Sequence, residues 1–335
     1  MSGTARSLLR AGLAVTVLAW LAQRVGVTEI MDQLAAADLR LVLAATVLLA
    51  LDGVSKAWNW RQFLIVNVGG QRVPFRRALT WFFAGGLIGA VVPSSAGTDA
   101  CRALLATRGV GGYAPACAAS IVTLNALGWF AGCVMGLIGL ALLAAHGSLP
   151  RVLGSLAVVF LATLAVLPLA YAALAARCGA VATLIERSSA RWPRVRRLIA
   201  TFLRSLLVFQ QGRVRLSGAL LIAALGLLAQ TAMFAVTALA VGIHQPFAVW
   251  MVLVPLTRIV ALAPVTVADF GLIQAAHVAV LELFGVLPWQ AFALSTLFAI
   301  EGLLIHSTLG SSTFLLGARG RSLPPAAQLD SAERT

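Results

Sequence analysis

Long uninterrupted runs of apolar residues constrain the fold of this chain more than any other feature of its sequence. A helix needs about 20 such residues to cross a hydrocarbon layer of about 30 Å. Six runs approach or exceed that length: Ala11–Val27, Leu39–Trp60, Ala116–Ala145, Val152–Ala176, Leu216–Val241 and Trp289–Leu316. Charged residues make up only 11% of the chain, whereas a soluble domain carries about 25%. The sequence therefore predicts an all-α, polytopic helical membrane protein.

Two further apolar segments are short for a crossing. Leu79–Val92 stops at Pro93, and Phe247–Ala263 stops at Pro264. Small or polar residues follow each proline, a pattern typical of a helix that breaks inside the membrane and restarts. We predict that each segment enters the membrane and turns back. The protein would then have six full spans and two re-entrant hairpins, although hydropathy alone would indicate seven or eight helices.

Basic residues indicate the orientation, because cytoplasmic loops carry an excess of Lys and Arg. Residues 56–77 contain five basic residues and no acid, and residues 177–215 contain nine Arg and one Glu. If both connections lie in the cytoplasm, both termini lie there too. We predict that the protein resides in the inner membrane of a bacterium. The stretch 185–214 reads either as a loop or as a basic amphipathic helix in the headgroup plane. We attribute the net charge of +14 to topology and anionic lipid, and expect no nucleic-acid partner.

The predicted topology describes a single transmembrane domain over 1–317, followed by a disordered cytoplasmic tail over 318–335. Its halves, 1–146 and 147–317, would each contain two spans, a broken hairpin and a third span. Such halves have opposite orientations, which is the inverted repeat of many transporters. The short stretches after Pro93 and Pro264 resemble each other in sequence. Either a repeat or chance explains this match.

Ionisable side chains inside the membrane cost about 3 kcal/mol on insertion scales, so each is a candidate functional residue. The first cluster comprises Pro93, Ser94, Ser95, Gly97, Thr98, Asp99 and Arg102. A helix that restarts here exposes backbone N–H groups that attract anions, and Arg102 adds a fixed positive charge suited to a phosphate headgroup. The alternative is that Asp99 caps the restarted helix and pairs with Arg102 only to make the turn tolerable.

The second cluster repeats this pattern of break and restart. It comprises Arg258, Pro264, Thr266, Asp269, Gly271, Gln274, His277 and Glu282. For His277 we favour a structural hydrogen bond inside the bundle. We predict that both clusters bind a lipid headgroup. Asp99 and Asp269 would orient the arginines or couple to protons.

Four other ionisable residues fall within the predicted spans: Asp52, Lys56, Glu301 and His306. Asp52 precedes Lys56 by four residues, the favourable order for an ion pair within a helix. In the alternative, Lys56 extends to the cytoplasmic surface with Asp52 as its partner. Glu301 and His306 each belong to a proton relay or to a hydrogen bond inside the bundle. For Asn125 and Gln230 we expect hydrogen bonds between helices.

The sequence carries no recognisable enzyme signature, such as a zinc-protease HExxH, a GxSxG or a phosphate-binding loop. We therefore predict no catalytic residue and no cofactor, although chemistry confined to the membrane stays open. The four cysteines lack the spacing of a metal or redox site, so no metal is expected. They are Cys101, Cys117, Cys133 and Cys178.

The run from Pro93 to Arg102 resembles a motif of the lysylphosphatidylglycerol synthase transmembrane-region family, a flippase-like family of bacterial and archaeal membrane proteins. Members typically show a proline, small residues, an acid and then an arginine. Arg258, Pro264 and Gly271 echo a second family motif, and the hydropathy layout agrees along most of the chain. The resemblance implies the family fold and a role in lipid handling.

Two positions depart from the family pattern. Leu124-Asn125 stands where members often carry an acid and an arginine, and Ile273-Gln274 stands where many have Arg-Glu. The best-known members also attach this module to a soluble aminoacyltransferase domain. We recognise no such domain in this sequence and expect no synthesis of lysyl-lipid.

The leading hypothesis is a flippase-like translocator of a phospholipid or another anionic, polyprenyl or hopanoid lipid. Its partners would be membrane lipids with anionic headgroups, and lipid-biosynthesis enzymes. One alternative is a membrane-embedded subunit of a lipid-linked glycosyl- or aminoacyl-transferase system. Another is a scaffold of lipid biosynthesis that transports nothing.

Overall fold

The computed structural model describes residues 27–89, 95–188, 193–212, 214–260 and 272–318. In these residues the chain forms eleven α-helices and no strand. The first five are α1 Val27–Ala35, α2 Leu39–Asn67, α3 Phe75–Gly89, α4 Ser95–Gly109 and α5 Ala114–Ala145. The others are α6 Gly154–Ser188, α7 Pro193–Leu206, α8 Leu216–Ala240, α9 Phe247–Val260, α10 Leu272–Glu282 and α11 Pro288–Ala318.

Five of these helices are long and apolar enough to cross a membrane: α2, α5, α6, α8 and α11. They coincide with five of the six predicted spans, which confirms a polytopic helical membrane protein. The remaining predicted span, 11–27, lies almost entirely outside the described residues. The basic stretch 185–214 contains helix α7, which packs against α5 and α6, so this part of the chain is not a plain loop.

Helices α3 and α4 form a tight antiparallel hairpin. A Cβ added at Gly85 would lie 2.9 Å from the Cα of Arg102, and one at Gly89 would collide with the backbone of Thr98. Each arm has 15 residues, about 22 Å at 1.5 Å per residue, which is short of the hydrocarbon thickness. The two arms therefore form a hairpin, as expected, and its return to the same side of the membrane stays a prediction. Its tip, residues 90–94, lies outside the described residues, and with it Pro93 and Ser94.

Helices α9 and α10 form the second antiparallel pair. Thr257 Oγ1 lies 2.9 Å from His277 Nε2, and Gln245 Nε2 donates to the carbonyl of Phe284 at 3.1 Å. With 14 and 11 residues, both arms are again too short to cross alone. The connection between them, 261–271, lies outside the described residues.

The hairpins pack against spans from the other half of the chain. Helix α3 packs on α11, and α9 packs on α5, while α2 and α8 pack on each other. Glycines make the first two contacts close, since a Cβ at Gly310 would lie 3.1 Å from the carbonyl oxygen of Phe83. One at Gly139 would lie 2.9 Å from that of Ala248. Small residues at such contacts let backbones approach where no hydrophobic effect drives helices together. Helix α3 also packs on α2 and α9 on α8, so each hairpin contacts one member of the α2–α8 pair.

Candidate functional site

A cavity of about 640 Å³ opens where α2, α3, α4, α5, α8, α9 and α11 meet. Its volume is within the range of 300–1,000 Å³ that is usual for small-molecule sites. The apolar part of its wall includes Phe82, Phe83, Leu124 and Trp129. Its polar part is unusually rich for the interior of an apolar bundle: Asp52, Ser55, Lys56, Asn59, Thr98, Asp99, Arg102, Asn125, Gln230, Arg258 and His306.

Asp52 and Lys56 form the predicted ion pair, one helical turn apart on α2. Lys56 Nζ donates to Asp52 Oδ2 at 2.5 Å. Asp52 is only 3% exposed, and its turn packs against Gly226 of α8, where a Cβ would lie 3.3 Å from Oδ1. Lys56 therefore faces the cavity with its charge already matched by a carboxylate.

Arg102 is held by three groups on two helices. Its Nη1 donates to Asp99 Oδ1 at 3.1 Å, its Nε donates to the carbonyl of Phe82 at 3.1 Å, and its Cζ lies 4.0 Å from the ring centroid of Phe82. Asn125 Nδ2 donates to the other carboxylate oxygen of Asp99 at 2.5 Å. The Asp99 carboxylate thus links α4 to α5 and fixes the Arg102 guanidinium at the cavity wall.

The position of Asp99 corrects one expectation from the sequence. Helix α4 begins at Ser95, so Asp99 is its fifth residue and does not cap its N-terminus. Caps sit at the boundary of a helix, where backbone N–H groups lack partners. The Asp99 carboxylate instead lies one turn into the helix, with its oxygens taken by Arg102 and Asn125.

Arg258 has a different environment from the other two cations. Its Nη2 donates to the amide oxygen of Gln230 at 2.7 Å. Its Nη1 lies only 2.8 Å from the position that a Cβ at Gly128 would occupy. Within the described part of the chain, no carboxylate lies within 4.0 Å of this guanidinium. The neutral Gln230 amide orients the charge of Arg258 without cancelling it.

Among the residues that the structure describes, the cavity wall therefore carries more positive than negative charge. Three cations, Lys56, Arg102 and Arg258, share its wall with two carboxylates, Asp52 and Asp99. An unmatched charge out of contact with bulk water is costly. Guanidinium groups offer planar donors that suit phosphate oxygens. The arrangement can hold one anionic group.

Several predicted site residues lie elsewhere. Gln274 and Glu301 are buried, at 4% and 0% exposure, but neither lines this cavity. Gly97 lies in the first turn of α4. The structure does not describe the side chain of Ser95, and Pro264, Asp269 and Gly271 fall outside the described residues.

The sequence indicated some cavity residues only indirectly. Asn125 and Gln230 make the expected hydrogen bonds between helices, yet they also line the cavity, which their chemistry alone did not reveal. Gly128 was not anticipated, although its spacing of four residues to Gly132 and again to Gly136 is typical of a close helix contact in a membrane.

The chain also matches a known protein family. The family model of the lysylphosphatidylglycerol synthase TM region matches residues 7–310, a range that includes every residue of the cavity wall. No curated protein matches the chain significantly.

Proposed function

We propose, from the premise that the chain belongs to the lysylphosphatidylglycerol synthase TM region family, that it binds an anionic lipid headgroup in the cavity and moves the lipid between leaflets. Membership of this family indicates a membrane protein of lipid metabolism or translocation. The lipid and its movement are our proposal. So are the bacterial inner membrane, the cytoplasmic termini and the partnership with lipid-biosynthesis enzymes.

The observation that carries the proposal is the environment of Arg258. Its hydrogen-bond partner among the described residues is the neutral Gln230 amide, whereas Lys56 and Arg102 are each paired with a carboxylate. A ligand with one phosphate would supply the missing negative charge. Arg258 would then be the principal phosphate contact, with Arg102 as the second.

The two hairpins explain how a headgroup could reach this position. Arms of about 20 Å place polar side chains deep between apolar helices, so the headgroup leaves the surface while its acyl chains stay among lipids. Large apolar side chains on the outside of the bundle, such as Leu142, Leu169 and Leu225, are well exposed. These surfaces suit contact with acyl chains.

A translocation assay tests the proposal. The protein is reconstituted in vesicles with fluorescent phosphatidylglycerol, and accessibility of the label to an external quencher is followed. We expect faster translocation than in empty vesicles. Arg258→Gln should slow it about 10- to 100-fold, because a hydrogen bond to a charged group contributes about 1.5–3 kcal/mol.

Arg72→Gln is the matched control, since it removes a charge from an exposed position in the loop between α2 and α3, outside the candidate spans, and should leave the rate unchanged. Equal rates with wild-type protein and with empty vesicles would refute translocation. Binding of phosphatidylglycerol without translocation would instead favour the subunit of a lipid-linked transferase system.

A further inference from the structure

Glu301 lies in the interior of the bundle, behind the wall of the cavity. Its side chain is fully buried, at 0% exposure. Both of its carboxyl oxygens lie 3.1 Å from the hydroxyl oxygen of Thr237 on α8. In the described ranges no Lys, Arg or His nitrogen comes within 4.0 Å of it.

These surroundings favour the neutral carboxylic acid over an ionised carboxylate. A buried charge without a counter-ion costs many kcal/mol, so such a group takes its neutral form instead. The hydrogen bonds are consistent with a carboxylic acid. Thr237 Oγ1 also lies 3.0 Å from the carbonyl oxygen of Met233, which can only accept. When the single hydroxyl proton of Thr237 goes to Met233, the Glu301 acid donates its own proton to Thr237 Oγ1, so both protons have an acceptor.

Ionisable groups on the helices around α11 do not change this conclusion. Helix α11 packs against α1, α2, α3, α8 and α10, and α8 has no ionisable residue. The ionisable residues of the other four helices and of α11 are Glu29, Asp32, Arg40, Asp52, Lys56, Arg61, Arg76, Arg77, His277, Glu282 and His306. None of the cations among them is an ion-pair partner of Glu301.

The acid is adjacent to the proposed lipid site. Gly302, the next residue, lines the cavity, and a Cβ built on it would meet nothing within 4 Å. Ile305 and His306 line the cavity one turn further along α11. The missing side chain at Gly302 leaves open space at the cavity wall, one residue along the chain from Glu301.

We propose that Glu301 is a proton-binding site, and that its proton binds and leaves in step with the anionic occupant of the cavity. The first part stands on the geometry of Glu301 alone, and the second rests on the proposed function. An anionic headgroup nearby repels an ionised Glu301 and so favours the acid. By linkage, the protonated acid favours the anionic headgroup to the same degree. The proton comes from the aqueous phase and returns to it, and the carboxyl O–H bond is the one bond that forms and breaks.

Infrared difference spectroscopy tests the first part without any lipid substrate. At neutral pH, the detergent-solubilised protein should show the carbonyl stretch of a buried protonated carboxylic acid, and Glu301→Gln should lack it. Thr237→Val should keep the band and shift it, because the acid loses its hydrogen bond. Glu282→Gln, which changes an exposed acid on α10, should leave the band as it is. Absence of the band from the wild-type protein would overturn the proposal.

Lipid binding as a function of pH tests the coupling. Phosphatidylglycerol in nanodiscs of zwitterionic lipid should bind about tenfold more weakly at alkaline pH, where Glu301 ionises, a coupling of ordinary size. Glu301→Gln, permanently neutral, should bind at all pH values as the wild type does at low pH. Equal pH dependence in both proteins would refute coupling. If phosphatidylglycerol binds at no pH, the proposed function and the coupling both fail. The infrared band of the protonated acid still shows whether Glu301 binds a proton.

Discussion

Arg258 and Gly128 face each other across the contact between α9 and α5. The guanidinium fits because residue 128 has no side chain, and Gln230 then holds it from the side of α8. The position of the anion-binding charge thus depends on a residue with no chemistry of its own. Replacement of Gly128 by a larger residue would therefore move the Arg258 guanidinium, although Arg258 itself is unchanged.

Gly128→Ala should displace the Arg258 guanidinium, since a Cβ 2.8 Å from Nη1 is closer than the van der Waals contact allows. We expect phosphatidylglycerol binding to weaken about tenfold, the equivalent of about 1.4 kcal/mol. Binding is measured in nanodiscs. Gly132→Ala is the control, because its Cβ would lie at an ordinary 3.5 Å from Pro255 Cβ. Equal binding by the two variants would contradict this account of Arg258.

At the scale of elements, the hairpins are where this bundle departs from a set of simple spans. The arms of α3 and α4 approach so closely because glycines stand at their contact. In the second hairpin, the polar side chain of His277 holds the arms together. Its two ring nitrogens lie 2.9 Å from Thr257 Oγ1 and 2.8 Å from Ser295 Oγ, so it joins α10 to α9 and α11. This agrees with the interpretation of His277 as a structural residue.

Gly89→Ala should destabilise the first hairpin, because its Cβ would collide with the Cα of Thr98 as well as with the Thr98 side chain, and backbone cannot move aside easily. Overpacking of this kind costs about 1–3 kcal/mol. The midpoint of thermal unfolding in detergent should fall. Gly218→Ala on α8 is the matched control, since a Cβ there meets nothing within 4 Å, and its midpoint should stay or rise slightly. An unchanged midpoint for Gly89→Ala would mean that the arms separate easily.

At the scale of the whole molecule, contacts between helices repeat in the two halves. Each helix of the first half has a counterpart in the second: α2 corresponds to α8, α3 to α9, α4 to α10 and α5 to α11. When every helix is replaced by its counterpart, each packing contact among these eight helices becomes another contact that is also present. The contact of α3 with α11 becomes that of α9 with α5, and the contact of α2 with α8 becomes itself. A two-fold relation between the halves would produce this pattern. It supports the inverted repeat as a proposal.

The proposed orientation predicts which loops face outward. Ser148, between α5 and α6, should lie outside the cell, and Gln71, between α2 and α3, should lie inside; both are exposed. A single cysteine is introduced at either position after the native cysteines are removed. In intact cells an impermeant maleimide should label Ser148→Cys and leave Gln71→Cys unlabelled. The reverse pattern would invert the orientation, and labelling of both would exclude a re-entrant first hairpin.

The sequence by itself determined the membrane class, the five described spans and the two broken segments. Hydropathy, length and proline act within a few residues, so these features need no knowledge of the rest of the chain. It also marked Arg102, Arg258 and Glu301 as expensive to bury.

Only the tertiary structure decided what surrounds those charges. Arg258 contacts Gln230, which is 28 residues distant in the sequence, and Glu301 contacts Thr237, which is 64 residues distant. Such partners follow from which helices pack together, and apolar helix surfaces are too alike for hydropathy to indicate that. The long apolar runs thus establish a membrane protein. The packing of its hairpins establishes a cavity that, among the described residues, has three cations and two carboxylates in its wall, and a buried acid next to Gly302 of that wall.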